Sequence, residues 1–127
     1  MSDYTVKRVD EMEASFAGAF KKVRAELGVT SFGVQIIEMP PNIDQYPEHD
    51  HADSGQEEVF GVLAGSGRIT IGDEEVPLEE DVYVRVGPSE RRKIYSGPDG
   101  LKLIALGGVP GKPYEIPEAS KLTGASA

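Results

Sequence analysis

The chain has 127 residues, 39% of them hydrophobic, and carries 22 acidic against 13 basic side chains for a net charge of −9. That length and apolar content support one domain with one core, and the acidic balance repels phosphate backbones and anionic lipid, which excludes nucleic acid and membrane as natural partners. The absence of cysteine rules out disulfides and thiolate metal sites, and with no leader-like or membrane-spanning run visible the expected location is the cytoplasm.

In chain order, residues 10–28 predict an amphipathic helix. Asp10 offers an N-cap with Glu13 three residues on. Met12, Phe16, Ala19, Phe20, Val23 and Leu27 recur at helical spacing, and Gly28 supplies a stop. Lys21, Lys22 and Arg24 fall near the end where the helix dipole favours cations. Residues 1–29 are therefore expected to be an N-terminal helical extension whose apolar stripe packs on the outside of the domain.

From Thr30 onward the pattern becomes short strands, giving an all-β domain over residues 30–116. SFGVQIIEM (31–39) ends at Pro40-Pro41, since proline removes a ladder donor. Further strands are expected at 58–63, 68–71, 74–78, 82–86, 91–95 and 101–106. Gly65-Ser66-Gly67 reads as a turn, Gly72-Asp73 as a hairpin and Gly97–Gly100 as a loop. Residues 117–127, rich in Ser, Ala and Gly, are expected to cross the surface as a tail and fray.

Chemistry concentrates between residues 46 and 67, YPEHDHADSGQEEVFGVLAGSG. His49 and His51 are the only histidines in the chain and are one residue apart. On an extended segment, rising about 3.3 Å per residue, their imidazoles project to one side and Asp50 to the other. Glu58 opens EVFGVL, where it shares a face with Phe60 and Val62. Two imidazoles and a carboxylate suit a first-row divalent metal with open coordination positions. Tyr46 and Gln56 flank the pair as hydrogen-bonding side chains that support the ligands or touch a bound molecule, and Phe60 joins them as a ligand-contacting candidate. Alternation also puts Arg92 with Ile94 on one face and Arg91 with Lys93 on the other. An inward Arg92 needs a partner: Glu58, or a carboxylate or phosphate on a ligand.

The segment resembles the first motif of the cupin family, in which His-x-His precedes a Glu and, after six residues, a Gly. His49, His51, Glu58 and Gly65 match. Ile43 stands where the family's leading glycine falls, and six residues rather than three or four separate His51 from Glu58. Residues 81–96, DVYVRVGPSERRKIYS, resemble the second motif in length and rhythm. There Asp81, Gly87 and Ser89 replace its Gly, Pro and Gly, Arg92 replaces its histidine and Ser96 its asparagine; a slide of one residue puts Arg91 in the histidine's place. In either register the family's fourth metal ligand is missing, because a guanidinium has no lone pair to give.

The resemblance spans residues 32–107 and implies a cupin-like jelly-roll β-barrel. It further implies a divalent metal ion (Fe, Mn, Ni or Zn) on His49, His51 and Glu58, and a small, anionic organic ligand inside the barrel beside Arg92. A homodimer is expected from the family and from the need to cover sheet edges. Cupins include oxygenases, isomerases and lyases, so the resemblance leaves the reaction open. The other expectation is a non-catalytic sensing or ligand-binding module without a metal.

Overall fold

The computed structural model describes residues 2–124. Seven strands form one antiparallel sheet: β1 (Ala14–Ser15), β2 (Phe20–Lys21), β3 (Gly33–Met39), β4 (Glu57–Ile71), β5 (Glu74–Leu78), β6 (Tyr83–Val86) and β7 (Arg92–Gly108). The path runs β1-β2-β3-β7-β4-β5, with β6 also paired to β4. The all-β, barrel-like architecture expected from the strand pattern is what forms.

The long strands β4 and β7 set the shape. The first half of β4, Glu58 to Gly61, lies between β6 and β7, whereas its second half, Gly67 to Ile71, lies between β5 and β7. Register shifts fall between Val62 and Ala64 and between Gly65 and Gly67. Such bulges bend a strand and raise its twist without ending it. The sequence reading divided each of these strands in two, with a turn at Gly65–Gly67 and a loop at Gly97–Gly100. Both glycine-rich stretches are instead bends within continuous strands. Gly65 takes φ 79° and packs so tightly that an added Cβ would fall 2.1 Å from the Gly100 carbonyl oxygen, so only glycine fits.

The two halves of the bent sheet enclose a core that includes Ile37, Phe60, Val62, Ile69, Ile94 and Leu103. Burying these side chains contributes roughly 1.5–3 kcal/mol each. On the opposite face of β3, Ile36 packs with Met12 and Val23 in a smaller cluster.

The helix expected over residues 10–28 is a correction. Only Val23–Leu27 is helical (α1), ended by Gly28 as expected, while β1 and β2 form a hairpin whose second strand pairs with β3. Phe16 and Ala17 have φ 55° and Gly18 has φ 94°. Three successive left-handed residues cannot continue a right-handed helix. Of the apolar side chains that fitted a helical stripe, Phe20 packs on the main core, Met12 and Val23 belong to the outer cluster with Leu27 packed against it, and Phe16 is exposed on the turn. Asp10 caps nothing; it lies in a single 3-10 turn, Val9–Glu11.

The tail is tied down where it crosses the surface. Lys22 donates to the Glu13 carboxylate at 2.7 Å and to the Lys121 carbonyl at 2.7 Å. The Thr123 backbone N–H and hydroxyl both donate to Glu13, at 2.9 and 3.0 Å. The fraying expected at residues 125–127 lies outside the described residues. No helix among the described residues is long and apolar enough to cross a membrane.

Candidate metal centre

The histidine segment runs beside the start of β7. His49 and Arg92 exchange backbone hydrogen bonds at 3.0 and 2.9 Å, and the His51 N–H donates to the Pro88 carbonyl at 2.8 Å. These bonds hold residues 49–51 extended, so alternation places both imidazoles on one side, with ring centroids 5.0 Å apart at 81°. Glu58 enters from β4, opposite Gly107 of β7 and Val86 of β6. Its Oε1 lies 3.2 Å from His51 Nε2 and 3.9 Å from His49 Nε2. Each of the three residues offers one ligand atom within 4.8 Å of the other two.

Hydrogen bonding settles one tautomer. His49 Nδ1 lies 3.0 Å from the Pro47 carbonyl oxygen, which can only accept, so Nδ1 carries the proton. The lone pair is then on Nε2, the atom aimed towards Glu58. His51 Nε2 and Glu58 Oε1 are buried and make no hydrogen bond among the described residues. Buried polar atoms are rarely left so, and a cation between them would satisfy both. By donor chemistry the residues present fit a divalent ion of the borderline type.

Arg92 turns towards this cluster and Arg91 away from it. Arg91 is exposed and pairs with Glu48 and Asp50. Arg92 is 0% exposed, donates from Nη2 to the Gly87 carbonyl at 2.8 Å, and holds Nη1 3.8 Å from Glu58 Oε1. It therefore lies behind Glu58 and is absent from the wall of the barrel cavity. An anionic ligand beside Arg92 was the expectation, and the burial of the guanidinium removes its basis.

That cavity has a volume of about 1300 Å³ and has His49, His51 and Glu58 on its wall. Tyr46, Gln56 and Phe60, expected near a ligand, all line it as well. The Tyr46 ring centroid is 5.7 Å from that of His49. Burial pushes its phenol well above the usual tyrosine range, Glu58 adds to the shift and Arg92 opposes it. Gln56 is buried with its amide against Gly107, where a Cβ would stand 2.8 Å from the amide carbon. Phe60 is fully buried and belongs to the core as much as to the wall.

Sequence reasoning missed Gln35 and Tyr114, which also face the cavity. Gln35 was findable, being a polar residue in step with inward Ile37 and Met39 on β3. Tyr114 was not, because it arrives from an irregular segment with no periodicity.

Among solved structures the chain is similar to a cupin protein from Bacteroides fragilis, with a TM-score of 0.71 and 22% identity over 96% of this chain and 98% of that one. The chain has the cupin fold. It is also similar to an RmlC-like cupin protein from Desulfovibrio desulfuricans (TM-score 0.55, 18% identity, 62% of this chain and 73% of that one). A protein from Acidithiobacillus ferrooxidans provisionally named a sugar phosphate isomerase is similar over 69% of this chain and 56% of that one (TM-score 0.61, 22% identity). No family model and no curated protein matches the sequence.

Within this cupin barrel the residues that depart from the motifs have structural work. Ile43, in place of a leading glycine, packs against the core. Ser96, in place of the asparagine, donates to the Pro40 carbonyl at 2.6 Å and accepts the Ile43 N–H at 2.8 Å, which fastens the chain leading into the histidine segment.

Proposed function

We propose that this chain is a metal-binding cupin domain that takes a small organic molecule inside its barrel. The observation that carries the reading is the convergence of His49, His51 and Glu58 on the cavity wall, with His51 Nε2 and Glu58 Oε1 buried and without a hydrogen bond among the described residues. The ion is Fe, Mn, Ni or Zn. When bound it would supply Lewis acidity and open positions for a ligand oxygen or nitrogen, the chemistry of a cupin oxygenase, isomerase or lyase. Pro47 orients the His49 ring, and Arg92 positions the Glu58 carboxylate from behind. Tyr46 offers a phenolic O–H to a molecule beside His49. A homodimer through an open sheet edge belongs to the same proposal, and light scattering tests it.

One observation favours the second reading, a ligand-binding module without metal. The Arg92 cation already stands 3.8 Å from Glu58 and competes for the same carboxylate. Elemental analysis decides between them, on protein purified without chelator or immobilised metal and then reconstituted anaerobically with each ion in turn. Stoichiometric metal in the wild type, lost in His51→Ala, is the expected result. Wild-type protein that stays metal-free with every ion would leave the binding module standing.

A further inference from the structure

We infer that the barrel's ligand has a mostly apolar body and a single metal-directed head, and is not a phosphate or a polycarboxylate. Only the role given to the head rests on the metal-centre reading; the body is inferred from the wall alone.

Ile37, Met39, Ile43, Phe60 and Ala105 line the cavity and belong to, or pack against, the main core. On this side the wall is therefore a continuation of the hydrophobic interior, next to the histidine–glutamate cluster. An apolar body placed there is removed from water on the side facing these residues, which is favourable in proportion to the area covered.

The cations near the cavity are not available to an anion. Lys22 is held between Glu13 and the Lys121 carbonyl, both at 2.7 Å, and Lys121 is paired with Glu118 at 2.7 Å. Lys21 lines the cavity beside Phe20 on β2, but it pairs with Ile36 of the outer cluster whereas Phe20 pairs with Ile37 of the main core, so alternation turns the Lys21 side chain to the outer face. Arg92 lies behind Glu58, off the wall. Away from the metal-directed head, a phosphate or a second carboxylate buried here would lose its hydration without gaining a counter-charge, which is costly. The net charge of −9 also disfavours the approach of a polyanion. Among the other polar residues on the wall, Tyr46, Tyr114, Gln35 and Gln56 are uncharged and suit hydroxyl or carbonyl groups on the body, while the carboxylates Glu38 and Glu118 offer an anion nothing.

Calorimetric titration of the reconstituted wild-type protein with butyrate, hexanoate, octanoate, citrate and glucose 6-phosphate tests this. Affinity is expected to rise about fourfold per added methylene, so that octanoate, with four more methylenes, binds roughly 250-fold more tightly than butyrate, with citrate and glucose 6-phosphate weaker than octanoate. A flat series, no binding of octanoate, or tighter binding of citrate or glucose 6-phosphate overturns the inference. Metal content is measured on the same samples. A rising series in protein that holds no metal supports the apolar body while sinking the metal centre, so the two failures are told apart.

Discussion

Arg92 holds its Nη1 3.8 Å from Glu58 Oε1, the same oxygen that His51 Nε2 approaches to 3.2 Å. One carboxylate oxygen thus faces a permanent cation and a candidate metal ligand. Arg92 is fully buried and its Nε and Nη1 make no hydrogen bond among the described residues. Its charge is compensated by Glu58 at a distance too long for a hydrogen bond.

Removing that cation frees Glu58 for an ion and ends the repulsion between like charges. Arg92→Met is expected to tighten metal binding by about tenfold or more, equivalent to about 1.4 kcal/mol. The same change leaves the Glu58 charge and the Gly87 carbonyl without their partner. The metal-free variant should therefore lose about 2–3 kcal/mol of stability. Chelator competition measures the first effect and urea denaturation the second; unchanged metal affinity would show that Arg92 and the ion do not share Glu58.

Acid should loosen the strap formed by the hairpin and tail. The hydrogen bond from Lys22, then that from the Thr123 backbone N–H, holds the Glu13 carboxyl below its ordinary 4.5. The N–H of Glu13 and the Lys7 ammonium do the same for Glu26. A carboxyl lowered in the folded state stabilises fully above its unfolded pKa, and that stabilisation is lost as pH falls through the folded value. Glu13→Ala should be less stable than wild type at neutral pH, with the gap closing below pH 4.5. Faster exchange of the Thr123 amide in the variant is the local readout, and equal exchange rates would refute the latch.

Alkaline titration reads the cavity directly. Burial raises the phenols of Tyr46 and Tyr114 above the ordinary 10, so both should stay protonated as pH passes that value. A raised acid contributes its stability below the unfolded value and loses it as pH climbs past 10. Ultraviolet absorbance followed through this range should show a late-ionising group that Tyr46→Phe deletes. A late phase that Tyr46→Phe leaves unchanged would mean that Tyr46 is open to water.

Gly65→Ala tests the bend in β4. The added methyl meets the Gly100 carbonyl oxygen, and the backbone stays in a left-handed conformation. A loss of roughly 2–4 kcal/mol is expected, read as a lower urea midpoint. A midpoint within error of wild type would show that the two strands can separate at this point without cost.

What was legible followed from alternation. Period two placed His49 with His51, Glu58 with Phe60, and Arg92 with Ile94, and each pair shares a face or a burial pattern in the fold. Two things were illegible. At residues 10–28 the apolar spacing fits a helix and a hairpin wrapped around β3 equally well, and only the left-handed turn at Phe16–Gly18 decides. The other was the docking of the tail on the hairpin. Glu13 and Thr123 are 110 positions apart, and no local pattern in either segment announces a partner so distant. The depth of Arg92 was half legible: its inward direction follows from the strand, but its seat behind Glu58 depends on the Gly87 carbonyl.

The joined lengths of β4 and β7 carry a kinetic consequence. Glu58 reaches its neighbours only through β6 and β7, and His49 is held by Arg92 at the far end of β7. These are non-local pairings, which close late and slowly. The three donors therefore have no shared geometry in the nascent chain, and an ion has nothing to grip until the sheet has bent. Metal at this centre would act as a brake on escape from the native state rather than as a seed for reaching it, and chelation would shorten the protein's lifetime while leaving its refolding rate nearly unchanged.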